Sequence, residues 1–188
     1  MKQSVCRILL LLAVLLVPAH LLADRSIVVS VPEQKLVLFE DGRQVASYPV
    51  STSKFGLGDV SGSYRTPLGE MEIASRIGAD APVGAVFKHR VTTGEILKPN
   101  VTGRDPIVTR ILWLRGLQAC NAGAYERNIY IHGTPQENLI GRPASYGCIR
   151  MRSKDIVRLF DAVTEGTRIS IVNQPVSRTM NVNIATRF

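Results

Sequence analysis

Between Ser26 and Val50 the chain reads as three strand-like runs separated by turn residues, and this punctuation leaves little room for helix. Ser26-Ile27-Val28-Val29-Ser30-Val31 ends at Pro32-Glu33-Gln34. Lys35-Leu36-Val37-Leu38-Phe39-Glu40 ends at Asp41-Gly42, and Gln44 to Val50 completes the set. β-Branched side chains suit a pleated surface, and an Asp-Gly pair supplies the positive φ angles that a tight hairpin requires. The pattern predicts a meander with one face buried.

Similar signals continue downstream. Ser51 to Ser63 is polar and glycine-rich and reads as a loop. Thr66-Pro67-Leu68-Gly69-Glu70 reads as a turn into a strand over Met71 to Ser75. Residues 76–107 are broken by Gly78, Pro82, Gly84, Gly94, Pro99, Gly103 and Pro106, so they hold either short strands or a surface excursion. Strands are expected over Ile107 to Leu114, carrying Trp113, over Asn128 to His132, and over Arg168 to Val172. One helix is credible. Ser153 would cap it, Asp155 lies in its first turn, Ile156, Val157, Leu159, Phe160 and Val163 form its apolar face, and Gly166 would follow its end. The expected fold is mainly β, a sandwich or barrel with one or two short helices.

The first residues point to export. Lys2 and Arg7 precede or flank an apolar run from Ile8 to Val17, and Ala23 stands before Asp24. This is the pattern of a secretory signal peptide over residues 1–23, and the run is shorter than the roughly 20 residues that span a bilayer. Residues 24–174 then form one domain, with a polar tail over 175–188. The formal charge of +8 falls to +6 once Lys2 and Arg7 leave with the signal, and this favours an anionic surface as partner. Nucleic acid is not expected, because no long basic block or zinc-finger spacing occurs. Only His20, His89 and His132 are histidines, and their spacing fits no zinc pattern; neither a metal nor a cofactor is expected.

Chemistry concentrates between Tyr130 and Arg150. Cys148 lies in Ser145-Tyr146-Gly147-Cys148-Ile149-Arg150, and His132 stands sixteen positions upstream in Tyr130-Ile131-His132-Gly133-Thr134. A thiol becomes a nucleophile when a base or a positive setting activates it. His132 is the only imidazole nearby in sequence, and the loop from Pro135 to Ala144 could return the chain so that the two meet. Gly147 permits tight backbone geometry, the N–H groups around it could stabilise an oxyanion, and Arg150 could bind a carboxylate in bidentate fashion. The other cysteine past the leader, Cys120, offers a competing reading: a Cys120–Cys148 disulfide, which would remove the nucleophile.

These motifs closely resemble the L,D-transpeptidase catalytic domain of the YkuD type. The resemblance rests on Ile131-His132-Gly133-Thr134, on Ser145 through Met151, on Tyr64-Arg65-Thr66-Pro67-Leu68-Gly69 and on Lys35-Leu36, and it covers roughly residues 25–173. It implies a mostly β enzyme acting outside the cytoplasmic membrane, in the periplasm or at the cell wall, on peptidoglycan stem peptides. Cys148 would form a thioester with the third residue of a stem tetrapeptide and release D-alanine. His132 would move the proton, and the Gly133 carbonyl would orient the imidazole. The N–H groups of Tyr146, Gly147 and Cys148 would form the oxyanion hole, and Arg150, Ser145 and Tyr130 would contact substrate. An amine from another stem peptide, giving a 3-3 cross-link, or from a lipoprotein would resolve the thioester. Tyr146 departs from the pattern, since many relatives carry histidine there, and the role of that histidine does not transfer.

Two alternatives remain open at this point. With water as acceptor the same chemistry makes a carboxypeptidase or endopeptidase that trims stem peptides or cuts lipoprotein links. With the cysteines bridged, the domain would be a non-catalytic wall-binding module.

Overall fold

The computed structural model describes residues 24–179; the expected signal peptide, 1–23, and the end of the tail, 180–188, lie outside the described residues. The mainly β expectation holds. The first hairpins run β1 (Arg25–Ser30), β2 (Lys35–Glu40) and β3 (Arg43–Pro49), followed by β4 (Gly69–Ile77). Asp41 and Gly42 form the two-residue turn between β2 and β3, with φ of +50° and +75°. Residues 76–107 hold a second hairpin, β5 (Ala85–Lys88) and β6 (Val91–Ile96). Its turn, His89-Arg90, also has both φ angles positive, at +52° and +68°.

Then come β7 (Ile107–Gly116), β8 (Tyr130–Gly133), β9 (Ile149–Met151), helix α1 (Ser153–Ala162) and β10 (Arg168–Val172). Pairing runs β3-β2-β1-β10-β4-β7-β5-β6, and β8 joins β7 to β9. The β1–β10 and β8–β9 pairs are parallel. The sheet branches at β7, which pairs β8 along one edge and, along the other, β4 through its C-terminal part and β5 at Ile107 and Val108. A break in register between Val108 and Ile111 marks the branch.

The main core lies between the sheet and α1. It includes Ile27, Val29, Leu36, Leu38, Met71, Leu112, Leu114, Ile131, Ile149, Met151, Ile156, Leu159 and Phe160. Burying large apolar side chains such as these is the dominant favourable contribution to folding. The meander differs from expectation in one respect: both faces of β1 and β2 are covered. Val28, Val37 and Phe39 form a second cluster with Val176, whose N–H donates to Glu33 Oε2 at 2.7 Å. The start of the polar tail therefore folds back on the sheet. The helix also starts differently. Ser153 is its first residue rather than its cap, and its N–H donates to Glu137 Oε1 at 2.8 Å. A carboxylate at this position satisfies an orphan N–H and complements the helix dipole. The helix ends before Val163, and Gly166, with φ +84°, serves the turn into β10. Among the described residues no helix is long and apolar enough to cross a membrane.

Candidate active site

The parallel β8–β9 pair builds the site. In its register Ile131 faces Ile149, His132 faces Arg150 and Gly133 faces Met151. Side chains alternate along a strand, so Tyr130 and His132 share a face of β8. Arg150 shares that face on β9, and Cys148 stands one residue before β9 on the same side. The intervening Ile131, Ile149 and Met151 point the other way, into the main core. Buried aliphatic side chains on one face thus fix four functional groups on the other.

His132 is 5% exposed. Its Nδ1 lies 2.8 Å from the Gly133 carbonyl oxygen. A carbonyl only accepts, so Nδ1 carries the proton and Nε2 is left as the base. Burial pushes the imidazole down to about 4, with Arg150 adding to the fall and the Gly133 carbonyl and Asp105 opposing it. Gly133 has no room for a side chain: a Cβ there would meet the Val108 carbonyl oxygen at 2.5 Å and Thr109 Cβ at 3.1 Å.

Cys148 is partly buried against Phe87, Ile111 and Tyr130. Its Sγ lies 3.4 Å from the Asn128 carbonyl oxygen, and no hydrogen bond joins it to His132 in this arrangement. Burial pushes the thiol up to about 11; the Tyr130 backbone, Arg150 and Arg127 counteract this. The resting pair is therefore a neutral thiol and a neutral imidazole.

The loop before Cys148 is fixed from below. Gly147 has φ +120° and packs against the backbone of Tyr64 and Arg65, where a side chain would be both strained and crowded. Thr66 Oγ1 donates to the Gly147 carbonyl at 2.9 Å and accepts from Ser53 N–H at 3.0 Å. The Thr-Pro-Leu-Gly segment is thus a brace for the nucleophile loop. Ser145, expected to contact substrate, is buried. Its hydroxyl donates to the Cys148 carbonyl at 2.6 Å and accepts from Gly147 N–H at 3.2 Å. Of the three N–H groups expected at an oxyanion, that of Gly147 is already bonded, whereas those of Tyr146 and Cys148 have no partner among the described residues.

Arg150 is 2% exposed. Its Nη1 pairs with Asp105 Oδ2 and lies 3.4 Å from Gln136 Oε1. Nε and Nη2 are buried without a partner. Asp105 also accepts from Thr134 Oγ1 at 2.7 Å. Tyr130, the third expected substrate contact, is buried, and its hydroxyl donates to Asn128 Oδ1 at 2.7 Å and accepts from Arg90 Nη1 at 3.2 Å. Asp105, Asn128, Arg90 and Gln136 carry no local signal in the sequence. They reach the site from separate loops, so only tertiary structure brings them together.

Cys120 and Cys148 are free thiols. Cys120 Sγ lies near the Leu68 carbonyl and Gln118, away from the groups that touch Cys148, and the disulfide-bridged arrangement is not formed. Among the described residues no cluster of three or more histidine, cysteine or acidic side chains could hold a metal.

Comparison with known proteins gives one consistent family. The model of the YkuD family, the L,D-transpeptidase catalytic domain, matches residues 24–171. A relative from Escherichia coli K12 named "Probable L,D-transpeptidase YcfS" is 30% identical over 155 residues, which cover 80% of this chain and 45% of that protein. The chain therefore spans less than half of that relative's length. An L,D-transpeptidase from Mycobacterium tuberculosis H37Rv superposes with a TM-score of 0.52 at 17% identity, covering 80% of this chain and 58% of the other. L,D-transpeptidase 3 from Mycobacterium tuberculosis, in complex with a faropenem-derived adduct, superposes with a TM-score of 0.52 at 16% identity, covering 79% and 60%. At such identities the solved structures speak to the fold.

Proposed function

The chain belongs to the YkuD family of L,D-transpeptidase catalytic domains, and from that premise we propose that it is a cysteine L,D-transpeptidase acting outside the cytoplasmic membrane on peptidoglycan stem peptides. The observation that carries this reading is the alignment of His132, Cys148 and Arg150 on one face of the parallel β8–β9 pair.

In the proposed reaction the thiol turns from the Asn128 carbonyl towards His132 Nε2. Sulfur attacks the carbonyl of the third stem residue, diaminopimelate in many walls, as the imidazole takes its proton. A concerted transfer suits a pair that is neutral at rest. The oxyanion accepts from the free N–H groups of Tyr146 and Cys148. His132 then protonates the amine of D-alanine as it leaves, and a thioester remains on Cys148. Arg150 is the substrate-carboxylate contact in this reading, which requires its buried, unpartnered Nε and Nη2 to open to the site when substrate binds. An amine from a second stem peptide or a lipoprotein attacks the thioester and frees the thiol. Residues 24–174 form the catalytic domain in this reading, and residues 1–23 are removed on export.

Intact mass after incubation with a stem tetrapeptide tests the proposal. The expected result is an adduct of the tripeptide acyl group with loss of D-alanine, absent in Cys148→Ala. No adduct, or an adduct on Cys120, would overturn it. Product analysis with an added amine separates transfer from hydrolysis; release of free tripeptide alone would make the chain a carboxypeptidase.

A further inference from the structure

A buried cation beside a catalytic base works against it, yet Arg150 stands level with His132 in the β8–β9 register. The Arg150 side chain is 3% exposed. Its positive charge disfavours the imidazolium that His132 becomes on taking the thiol proton. Apolar side chains of similar volume often replace a buried ion pair at no cost to the fold, so stability alone does not account for the charge.

Asp105 supplies the opposite charge from outside both strands. It lies in the loop before β7, and its side chain is 25% exposed. Its two oxygens are divided. Oδ2 pairs with Arg150 Nη1, and Oδ1 accepts from Thr134 Oγ1 at 2.7 Å. Thr134 is itself fixed: its N–H donates to the Met151 carbonyl at 3.1 Å, and its hydroxyl accepts from Gln136 N–H at 3.0 Å. One carboxylate therefore ties the end of β8 to Arg150 on β9.

The register gives this carboxylate a direction. Cys148, one residue before β9, packs at the Tyr130 end of the strand pair. Arg150 comes next, level with His132, and Thr134 follows β8. Thiol, base and carboxylate thus stand in that order, and a proton passing from Cys148 to His132 moves towards Asp105. The charged side chains acting on His132 are Arg150 and Asp105. Cys148 feels these two and Arg127, which is paired with Asp59.

We propose that Asp105 is a positioning residue for acylation: it holds Arg150 by Nη1 and offsets its charge, so that His132 becomes an imidazolium as Cys148 attacks. This rests on the transpeptidase reading above. Nε and Nη2 of Arg150 stay outside the tie and remain for the substrate carboxylate. In the step, the S–H bond breaks and an N–H bond forms at His132 Nε2 while sulfur bonds the stem carbonyl carbon. Positive charge appears on the imidazole, and Asp105 counters the repulsion from Arg150. The same carboxylate opposes a thiolate that has lost its proton to solvent, because no imidazolium then accompanies it. Asp105 therefore favours proton transfer within the pair and disfavours ionisation of the thiol alone.

Two rates separate these effects. Alkylation by iodoacetamide reads thiolate alone, and acylation by a stem tetrapeptide reads transfer to His132. Both are followed by intact mass in a Cys120→Ser background. Asp105→Asn, which keeps the shape and loses the charge, is expected to alkylate about tenfold faster at pH 8 and to acylate about tenfold slower, the lower end of what one neighbouring charge does to an ionisation. Asp105→Glu, which keeps the charge, is expected to recover both rates. Arg150→Met leaves Asp105 partly solvated and gives a reading should Asp105→Asn not fold; losing the cation, it is expected to alkylate about tenfold slower. A structural role alone moves both rates of Asp105→Asn the same way, and that result would overturn the proposal. So would two unchanged rates, or faster alkylation in Arg150→Met. If the unaltered protein forms no acyl adduct, the transpeptidase reading falls as well; an adduct formed at full rate by Asp105→Asn removes only the role of Asp105.

Discussion

The neutral resting pair makes a specific claim about Cys148. Burial lifts its thiol from 9.0 to about 11, and two units at constant pH mean about a hundredfold less thiolate. His132, at about 4, is too weak a base to hold the proton in the absence of substrate. Iodoacetamide reacts only with thiolate and needs no binding site, so its rate reports this fraction directly. The measurement uses a Cys120→Ser variant of the chain beginning at Asp24, with alkylation followed by intact mass from pH 6 to 10.5. The logarithm of the rate should climb with pH and show no plateau below pH 9. A plateau at pH 8 or lower would mean that thiolate and imidazolium already exist at rest. The proton would then move before attack rather than with it, and the general-base step proposed for His132 would be wrong.

Other consequences are simpler to read. His132 stays neutral in the folded protein down to about 4 but gains a proton near 6.5 when unfolded. The unfolded state therefore binds more protons between those values, and stability falls as pH drops through this window. At pH 4.5 the loss is about 2–3 kcal/mol relative to pH 7.5, measured by urea unfolding, and His132→Asn should remove it. Gly133→Ala would drive a Cβ into the Val108 carbonyl oxygen; it should cost about 1–3 kcal/mol and slow acylation by shifting the carbonyl that holds His132. Thr66→Val keeps the shape but leaves Ser53 N–H and the Gly147 carbonyl unpaired. It should cost about 1–3 kcal/mol by urea unfolding, with slower acylation in the folded fraction.

Where local chemistry decided the structure, the sequence could be read directly. Asp41-Gly42 announced its hairpin because glycine adopts the positive φ that the turn needs. The β5–β6 hairpin has the same two-residue geometry on His89-Arg90, without the glycine that such a turn prefers. There, tertiary contacts impose the turn: Arg90 bonds Asn128 and Tyr130 and lies 4.3 Å from the Trp113 ring centroid. The helix was legible through its apolar face, whereas its true N-terminal partner, Glu137, sits sixteen residues upstream. His132, Cys148 and Arg150 could be proposed from residue type and spacing. Asp105 could not, because an exposed aspartate among loop residues gains meaning only once Arg150 is seen buried beside it.

The spacing of His132 and Cys148 follows from topology. Parallel neighbours cannot be joined by a tight turn and need a connection of a dozen or more residues; residues 134–148 supply one between β8 and β9. A direct antiparallel return would reverse β9, bringing Arg150 and Cys148 to other positions along β8. The parallel step instead places Arg150 level with His132. On the opposite edge of β8, the break in β7 holds Thr109 at φ +74°, costly for a β-branched residue. Its hydroxyl accepts from Gly84 N–H at 3.0 Å and donates to Ser153 Oγ at 2.8 Å, and bonds of this kind hold such strain in place. The strained backbone lies against Gly133, in the space a side chain would need. The irregular strand and the glycine therefore form one fitted contact, and the Gly133 carbonyl that fixes the His132 tautomer is set by it.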